Sequence, residues 1–267
     1  MIDLAFGQAT SAGHRAVNED ALGVYTPRSR QEARSRGWLF AVADGVGGLE
    51  AGEVASARAV EVAVEGFARS PEETSLASLL PRLVQHANAA VHDEGLRAGH
   101  RERGIATTLV LCALRNHVAH IAHVGDSRCY LIRQGTAHPL TTDHTWVNEQ
   151  LRLGLISAAE AAESHSRNVL ARTLGPERFV TADSTTAMLQ PRDLLLLCSD
   201  GLSNALTSAQ IARTLSGPHD PEALAQILVD QALAADASDN ITALVIAIRA
   251  VETMSMYRGR PYTRSGA

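Results

Sequence analysis

Cysteine is scarce in this chain: three in 267 residues, at positions 112, 129 and 198, an odd number with no pairing pattern. All three lie in apolar, strand-like runs, which argues against a disulfide-built secreted fold and suits buried thiols in a reducing cytoplasm. None sits in a phosphate-cradling loop ahead of an arginine, so a cysteine nucleophile is not expected. Aromatic residues make up only 4% and the formal net charge is −5. The chain therefore has neither the stacking platforms nor the basic footprint of a nucleic-acid binder. No apolar run approaches the roughly 18 residues of a membrane span. The start carries Asp3 and no basic stretch ahead of an apolar one, so no signal peptide is expected. No Pro/Gly/Ser-rich linker divides the chain, which favours one domain. With 45% hydrophobic and 20% charged residues, the composition is that of an ordinary globular protein.

What the chain does have is a repeated acidic device. The apolar run from Trp38 to Ala43 ends in Asp44, and glycines follow at 45, 47 and 48. An apolar strand that delivers a carboxylate to a turn can hold a hard cation through oxygen, with the Gly45 carbonyl free to help. A lone Asp-Gly is more simply a β-turn. Here the arrangement recurs at Gly125-Asp126-Ser127, Ser199-Asp200-Gly201 and Ser238-Asp239-Asn240. Four such aspartates point to one folded acidic site.

Taken in order, the alternation of Ile2, Leu4 and Phe6 predicts a half-buried strand. The polar stretch 13–20 follows, with Arg15, Glu19 and Asp20, and a strand resumes over 22–25. Residues 28–36 read as a polar hairpin loop. Helical spacing predicts two long helices after the central glycines, with Ser70-Pro71-Glu72-Glu73 as the start signal of the second. From 106 to 140 the pattern becomes that of strands joined by tight turns, which predicts an antiparallel meander. Residues 146–166 form a helical insert, and a further helix is predicted from Arg167 to Gly175. Capping patterns at Thr207 and Asp220 open two more helices, and Asp239 precedes the last strand, 241–248. The histidines at 117, 120 and 123 fit no metal-binding spacing and read as structural. The domain is placed at 1–250, with 251–267 as a flexible tail.

Carboxylates without a His or Cys ligand pattern suit Mg²⁺ or Mn²⁺ rather than Zn²⁺. Converging carboxylates also need cations between them to remain ionised. A pair of such ions about 4 Å apart can bridge a water, lower its pKa and clamp a displacement at phosphorus. The Arg15 guanidinium would orient a phosphate. Metal-assisted phosphate-ester hydrolysis is the reaction class that uses all these residues.

The motifs at 15–20, 44–48, 124–128, 140–144, 167–170, 199–202 and 239–242 come in the order seen in the PPM family. This chain resembles its bacterial branch of metal-dependent Ser/Thr protein phosphatases, the 2C type, from about Phe6 to Ile248. The resemblance implies an α+β fold: a four-layer α/β/β/α sandwich with two central antiparallel sheets. It implies two tight Mn²⁺ or Mg²⁺ ions held by Asp44, the Gly45 carbonyl, Asp200 and Asp239. A weaker third ion would be shared by Asp126 and Asp200. Arg15 is implied as the phosphate-binding residue, and Glu19 and Asp20 as acids acting through metal-bound water. The insert 146–166 matches the family's flap. Phosphorylated proteins, those of a Ser/Thr kinase, would be the substrates. Leu49 stands where many bacterial members carry a histidine, and Ala106-Thr107-Thr108 where many have Gly-Thr-Thr. Two other readings stay open on sequence alone: a non-catalytic module of the same fold, and a hydrolase of small phosphate esters.

Overall fold

The computed structural model describes residues 2–46, 51–99, 104–164, 166, 168–217, 220–257 and 260–265. In chain order it opens with β1 (Ile2–Ser11), β2 (Asp20–Tyr25), α1 (Arg30–Ser35) and β3 (Trp38–Asp44). Two long helices follow, α2 (Gly52–Arg69) and α3 (Leu76–Arg97), then β4 (Leu109–Arg115), β5 (Val118–Val124), β6 (Arg128–Arg133) and β7 (Thr136–Pro139). The insert holds α4 (Trp146–Arg152) and α5 (Ala158–Glu163), and leads to β8 (Asp183–Met188) and β9 (Leu194–Cys198). Helices α6 (Asp200–Ala205), α7 (Ser208–Leu215) and α8 (Pro221–Ala234) precede β10 (Ile241–Tyr257) and β11 (Arg260–Ser265).

The strands form two antiparallel sheets, one in the order β2-β3-β4-β5-β8 and the other β1-β10-β9-β6-β7. The pleat explains how they stack. Leu39, Ala41 and Ala43 of β3 face α2 and α3, while Phe40 and Val42 face the other sheet. In β9, Leu195 and Leu197 enter the space between the sheets, and Leu196 and Cys198 pack under α6, α7 and α8. A strand buried on both faces has to be apolar at every position, which is why 194–197 is four leucines in a row. Three apolar cores separate four layers, α/β/β/α, and this is the sandwich the resemblance implied. Each fully buried Leu or Phe contributes about 1.5–3 kcal/mol to holding the layers together.

Several expectations are corrected. The meander breaks after β5, because β6 pairs with β9 in the opposite sheet and not with β5. The turn 125–127 therefore carries the chain from one sheet to the other. Gly125 makes the crossing possible: its φ is +100°, and a Cβ there would lie 2.5 Å from Thr108 Cγ2. Residues 30–35 form helix α1 instead of a loop, because Ser29 caps the Glu32 N–H. Ser70 ends α2 and the next helix starts only at Leu76. Among the described residues of 168–175 there is no helix. There Leu170 bridges to Thr145 and Leu174 to Thr107, so tertiary pairing overrides the local pattern. Past residue 250, β10 runs on to Tyr257 and pairs with β11.

Candidate metal centre

Every predicted acid lies at one end of the sandwich, where strands of both sheets stop. Asp44 ends β3, and its register partner across the ladder is Asp20, the first residue of β2. Asp200 opens α6 directly after β9, Asp239 lies two residues ahead of β10, and Asp126 lies in the crossing turn after β5. No two of these segments are neighbours in sequence except by strand pairing, so the cluster is a product of the topology.

Asp44 is fixed through its backbone. Its N–H donates to Thr108 Oγ1 (2.9 Å), the Thr108 N–H donates to the Asp44 carbonyl (2.9 Å), and Thr107 Oγ1 donates to the same carbonyl (2.8 Å). Thr108 also shares a hydrogen bond with Ser127 Oγ (2.7 Å), so a single buried hydroxyl ties the Asp44 strand end to the Asp126 turn. The next residue has to be glycine, since a Cβ at Gly45 would lie 2.4 Å from the Gly52 carbonyl oxygen.

Asp20 joins the two sheets. Ser199 Oγ and Thr242 Oγ1, both from the other sheet's side, donate to its Oδ2 at 2.7 Å each. Its Oδ1 is buried and has no hydrogen-bond partner among the described residues. Asn240 braces the loop carrying the other polar residues: its side chain donates to the carbonyls of Ala12 and Val17 (3.0 Å each) and accepts from the Glu19 N–H (2.8 Å). Arg15 lies across Asp239, with Nη2 donating to Oδ2 at 2.9 Å and Nε to the Ser238 carbonyl at 3.1 Å. Glu19 covers the start of α2, where a Cβ on Gly52 would meet its carboxylate at about 3 Å.

The electrostatics follow from the crowding. Burial, then Asp20, Asp200, Asp126 and Asp239 around it, push the Asp44 carboxyl well above its ordinary value. Burial raises Asp20 to about 7 against two donated hydroxyl hydrogen bonds, with Asp200 and Asp239 adding to the rise. Asp126 is likewise pushed up to about 7, by burial, Asp200 and Asp143. Burial and Asp239 raise Asp200, partly offset by a hydrogen bond with Asp44. Glu19 is raised by burial and by Glu53.

Among the described residues no three His, Cys, Asp or Glu side chains form a closed ligand set. What Asp20, Asp44, Asp126 and Asp200 share is a crowded, buried setting that disfavours their charged forms, with an unpartnered buried oxygen on Asp20 within it. A hard divalent cation answers both conditions, so the donor chemistry fits Mn²⁺ or Mg²⁺.

Beside the centre lies a cleft of about 710 Å³, lined by residues including Asp143, His144, Trp146, Leu151 and Arg172. Asp143 takes a two-pronged ion pair from Arg128 (2.8 and 2.6 Å). Asp143, Thr108, Ser127, Ser199, Thr242 and Asn240 all shape the site without having been singled out individually in the sequence. Their sequence signal is membership of the ordered motifs, as polar residues inside or next to apolar strands. Leu49 and Arg167 lie outside the described residues.

A family model described as protein phosphatase 2C matches residues 11–236. The serine/threonine phosphatase stp of Listeria innocua is 35% identical over 251 residues, spanning 92% of this chain and 94% of its own length. Among solved structures, the S. agalactiae serine/threonine phosphatase superposes with a TM-score of 0.81 at 28% identity, covering 92% of this chain and 100% of its own. The catalytic domain of the serine threonine protein phosphatase PstP, in complex with two manganese ions, does so with a TM-score of 0.75 at 31% identity, covering 92% and 98%. The chain belongs to the protein phosphatase 2C family of serine/threonine protein phosphatases, in its bacterial branch.

Proposed function

We propose that this phosphatase hydrolyses phosphoserine and phosphothreonine on proteins with two divalent cations held by Asp44, the Gly45 carbonyl, Asp200 and Asp239. A third, weaker cation would be shared by Asp126 and Asp200. The observation that carries this reading is the convergence of these aspartates from both sheets around Asp44, which Asp200, Asp126 and Asp239 all push upward. Manganese is favoured by the relative with two manganese ions, and magnesium would use the same oxygens. When bound, such cations would lower the pKa of a water toward neutrality and so supply the nucleophile for phosphorus.

The chain's own residues then do the orienting. Arg15 lies over Asp239 with one terminal nitrogen engaged, so its guanidinium can turn its remaining face to a phosphoryl oxygen. Asp20, held rigid by Ser199 and Thr242 on one oxygen, presents the other to the centre. Glu19 packs over the start of α2 and would act through water held at the centre. The substrates would be those of an opposing Ser/Thr kinase. The unpaired, buried cysteines suit a cytoplasmic setting. Among the described residues no helix is long and apolar enough to cross a membrane.

Calorimetric titration of Mn²⁺ into Asp44→Asn, Asp200→Asn, Asp239→Asn and Asp126→Ala, with phosphopeptide rates measured alongside, tests the assignment. The first three variants should lose tight binding and turnover together, and Asp126→Ala should keep two ions while its turnover falls. Loss of both tight ions in Asp126→Ala, with retention in Asp239→Asn, would overturn it.

A further inference from the structure

His144 ends the Thr141-Thr142-Asp143-His144 motif at the root of the insert, two residues before α4. It is joined to Gly125, the residue ahead of Asp126, by two hydrogen bonds. The His144 N–H donates to the Gly125 carbonyl (3.0 Å), and the buried Gly125 N–H donates to His144 Nδ1 (3.1 Å). The ring is itself buried and stacks on His123 with centroids 4.6 Å apart and planes 16° from parallel. With Nδ1 accepting, the proton resides on Nε2, which faces Asp183 Oδ2 (3.4 Å), while Arg172 Nη1, 3.2 Å from Nε2, gives its two hydrogens to the Thr181 carbonyl (3.0 Å) and Asp183 Oδ1 (2.8 Å). That tautomer requires an uncharged ring. Burial, then His123 and Arg172, push the pKa down to about 4, so the ring is neutral at physiological pH.

Gly125 is held on that side of the turn through both its N–H and its carbonyl by His144. Its backbone is in the left-handed region and it carries no side chain, while the far end of the turn is pinned by Ser127 to Thr108. We propose that His144 is a positioning residue for Asp126: a neutral acceptor that pins the Gly125 amide and so aims the Asp126 carboxylate into the acidic centre from the root of the insert. This rests on the reading of Asp126 as ligand of the weaker cation.

Three substitutions in the full chain separate the acceptor from the ring. His144→Phe keeps a ring to stack on His123 and loses the acceptor. His144→Asn keeps an acceptor one bond beyond Cγ. His144→Gln moves it one bond further out and serves if the Phe variant does not fold. Exchange of the Gly125 amide, followed by NMR in EDTA, should be about tenfold faster in the Phe and Gln variants and near wild type in Asn, since a buried amide loses its only acceptor. The Mn²⁺ concentration for half-maximal phosphopeptide hydrolysis should rise about three- to tenfold in the Phe and Gln variants, with the tight ions unchanged by calorimetry and Asn restoring the requirement. In an Asp126→Ala background the Phe substitution should add nothing further. Unchanged Gly125 exchange, or equal losses in Phe and Asn, would overturn the proposal. If Asp126→Ala raises the Mn²⁺ requirement and neither the Phe nor the Gln variant does, the proposal alone falls. If Asp126→Ala leaves the requirement unchanged, the ligand reading falls and the proposal with it.

Discussion

Neutralising a residue of the acidic centre should stabilise the metal-free protein, and only above a certain pH. Asp20 and Asp126 both have pKa values raised from 3.8 to about 7, and Asp44 and Asp200 are raised as well. Between about pH 4 and 7 the folded, metal-free protein thus holds protons that the unfolded chain has released. Its stability falls as pH rises through that window, and the loss is complete once the folded values are passed. Asp126→Asn keeps the size of the side chain and removes one of the repelling charges. A rise of roughly three units corresponds to about 4 kcal/mol at most. The carboxylates titrate as a group, and the new amide needs partners of its own, so about 1–3 kcal/mol is the expected gain at pH 8. For a domain of this size that is roughly 2–12 °C in Tm. At about pH 3, below both values, Asp126 is protonated in folded and unfolded protein for the most part, and the gain should nearly vanish. Thermal melts in EDTA at the two pH values, for wild type and variant, measure it directly. Saturating Mn²⁺ should reverse the order at pH 8, because the charge is then wanted. A variant less stable than wild type at pH 8 in EDTA, or an equal gain at both pH values, refutes the reasoning.

Other substitutions probe the supports of the centre. Thr108→Val, nearly isosteric, leaves the buried Asp44 N–H and Ser127 hydroxyl without a shared partner; urea unfolding should show a loss of about 2–4 kcal/mol, and a loss below about 0.5 would show that Thr108 is not the tie between the two turns. Arg15→Ala breaks a half-exposed ion pair with Asp239, so stability should change by less than about 1 kcal/mol while KM for a phosphopeptide rises; loss of the tight ions by calorimetry would mean that Arg15 serves the metals and not the phosphate. Leu49→His should raise turnover on phosphates with poor leaving groups and leave activated aryl phosphates little changed, and an equal effect on both would remove the idea that an imidazole acid is missing at 49.

The sequence carried the strands and the acids because both follow short-range rules. Leu39 to Asp44 is apolar at each position and then turns on glycine, and the same holds at Asp200. It did not carry the sheet to which a strand belongs. Gly125-Asp126-Ser127 has the composition of a hairpin turn, and only the burial of β6 beside β9 sends the chain across. Helix α1 was legible, since Ser29 and Glu32 form a capping pair, yet its charged residues resemble a loop. The opposite error fell after 167, where apolar spacing suggests a helix and pairing with Thr145 and Thr107 prevails. Ser199, Thr242 and Asn240 could not be picked out individually, because their roles exist only once segments some two hundred residues apart have met.

That last separation bears on how the enzyme comes into being. Asp20 receives its two hydroxyl donors from residues 179 and 222 positions further along the chain, so the acidic centre closes only when β2, β9 and β10 have found their places. Contacts of such sequence range form late and slowly in a folding chain. A molecule in which these segments have not yet met has no closed centre to offer a cation. Divalent ions therefore recognise the finished molecule alone and draw the folding equilibrium toward it by mass action. Cation uptake in a refolding experiment should lag behind the return of helix, and its time course would mark the moment at which the two halves of the sandwich are joined.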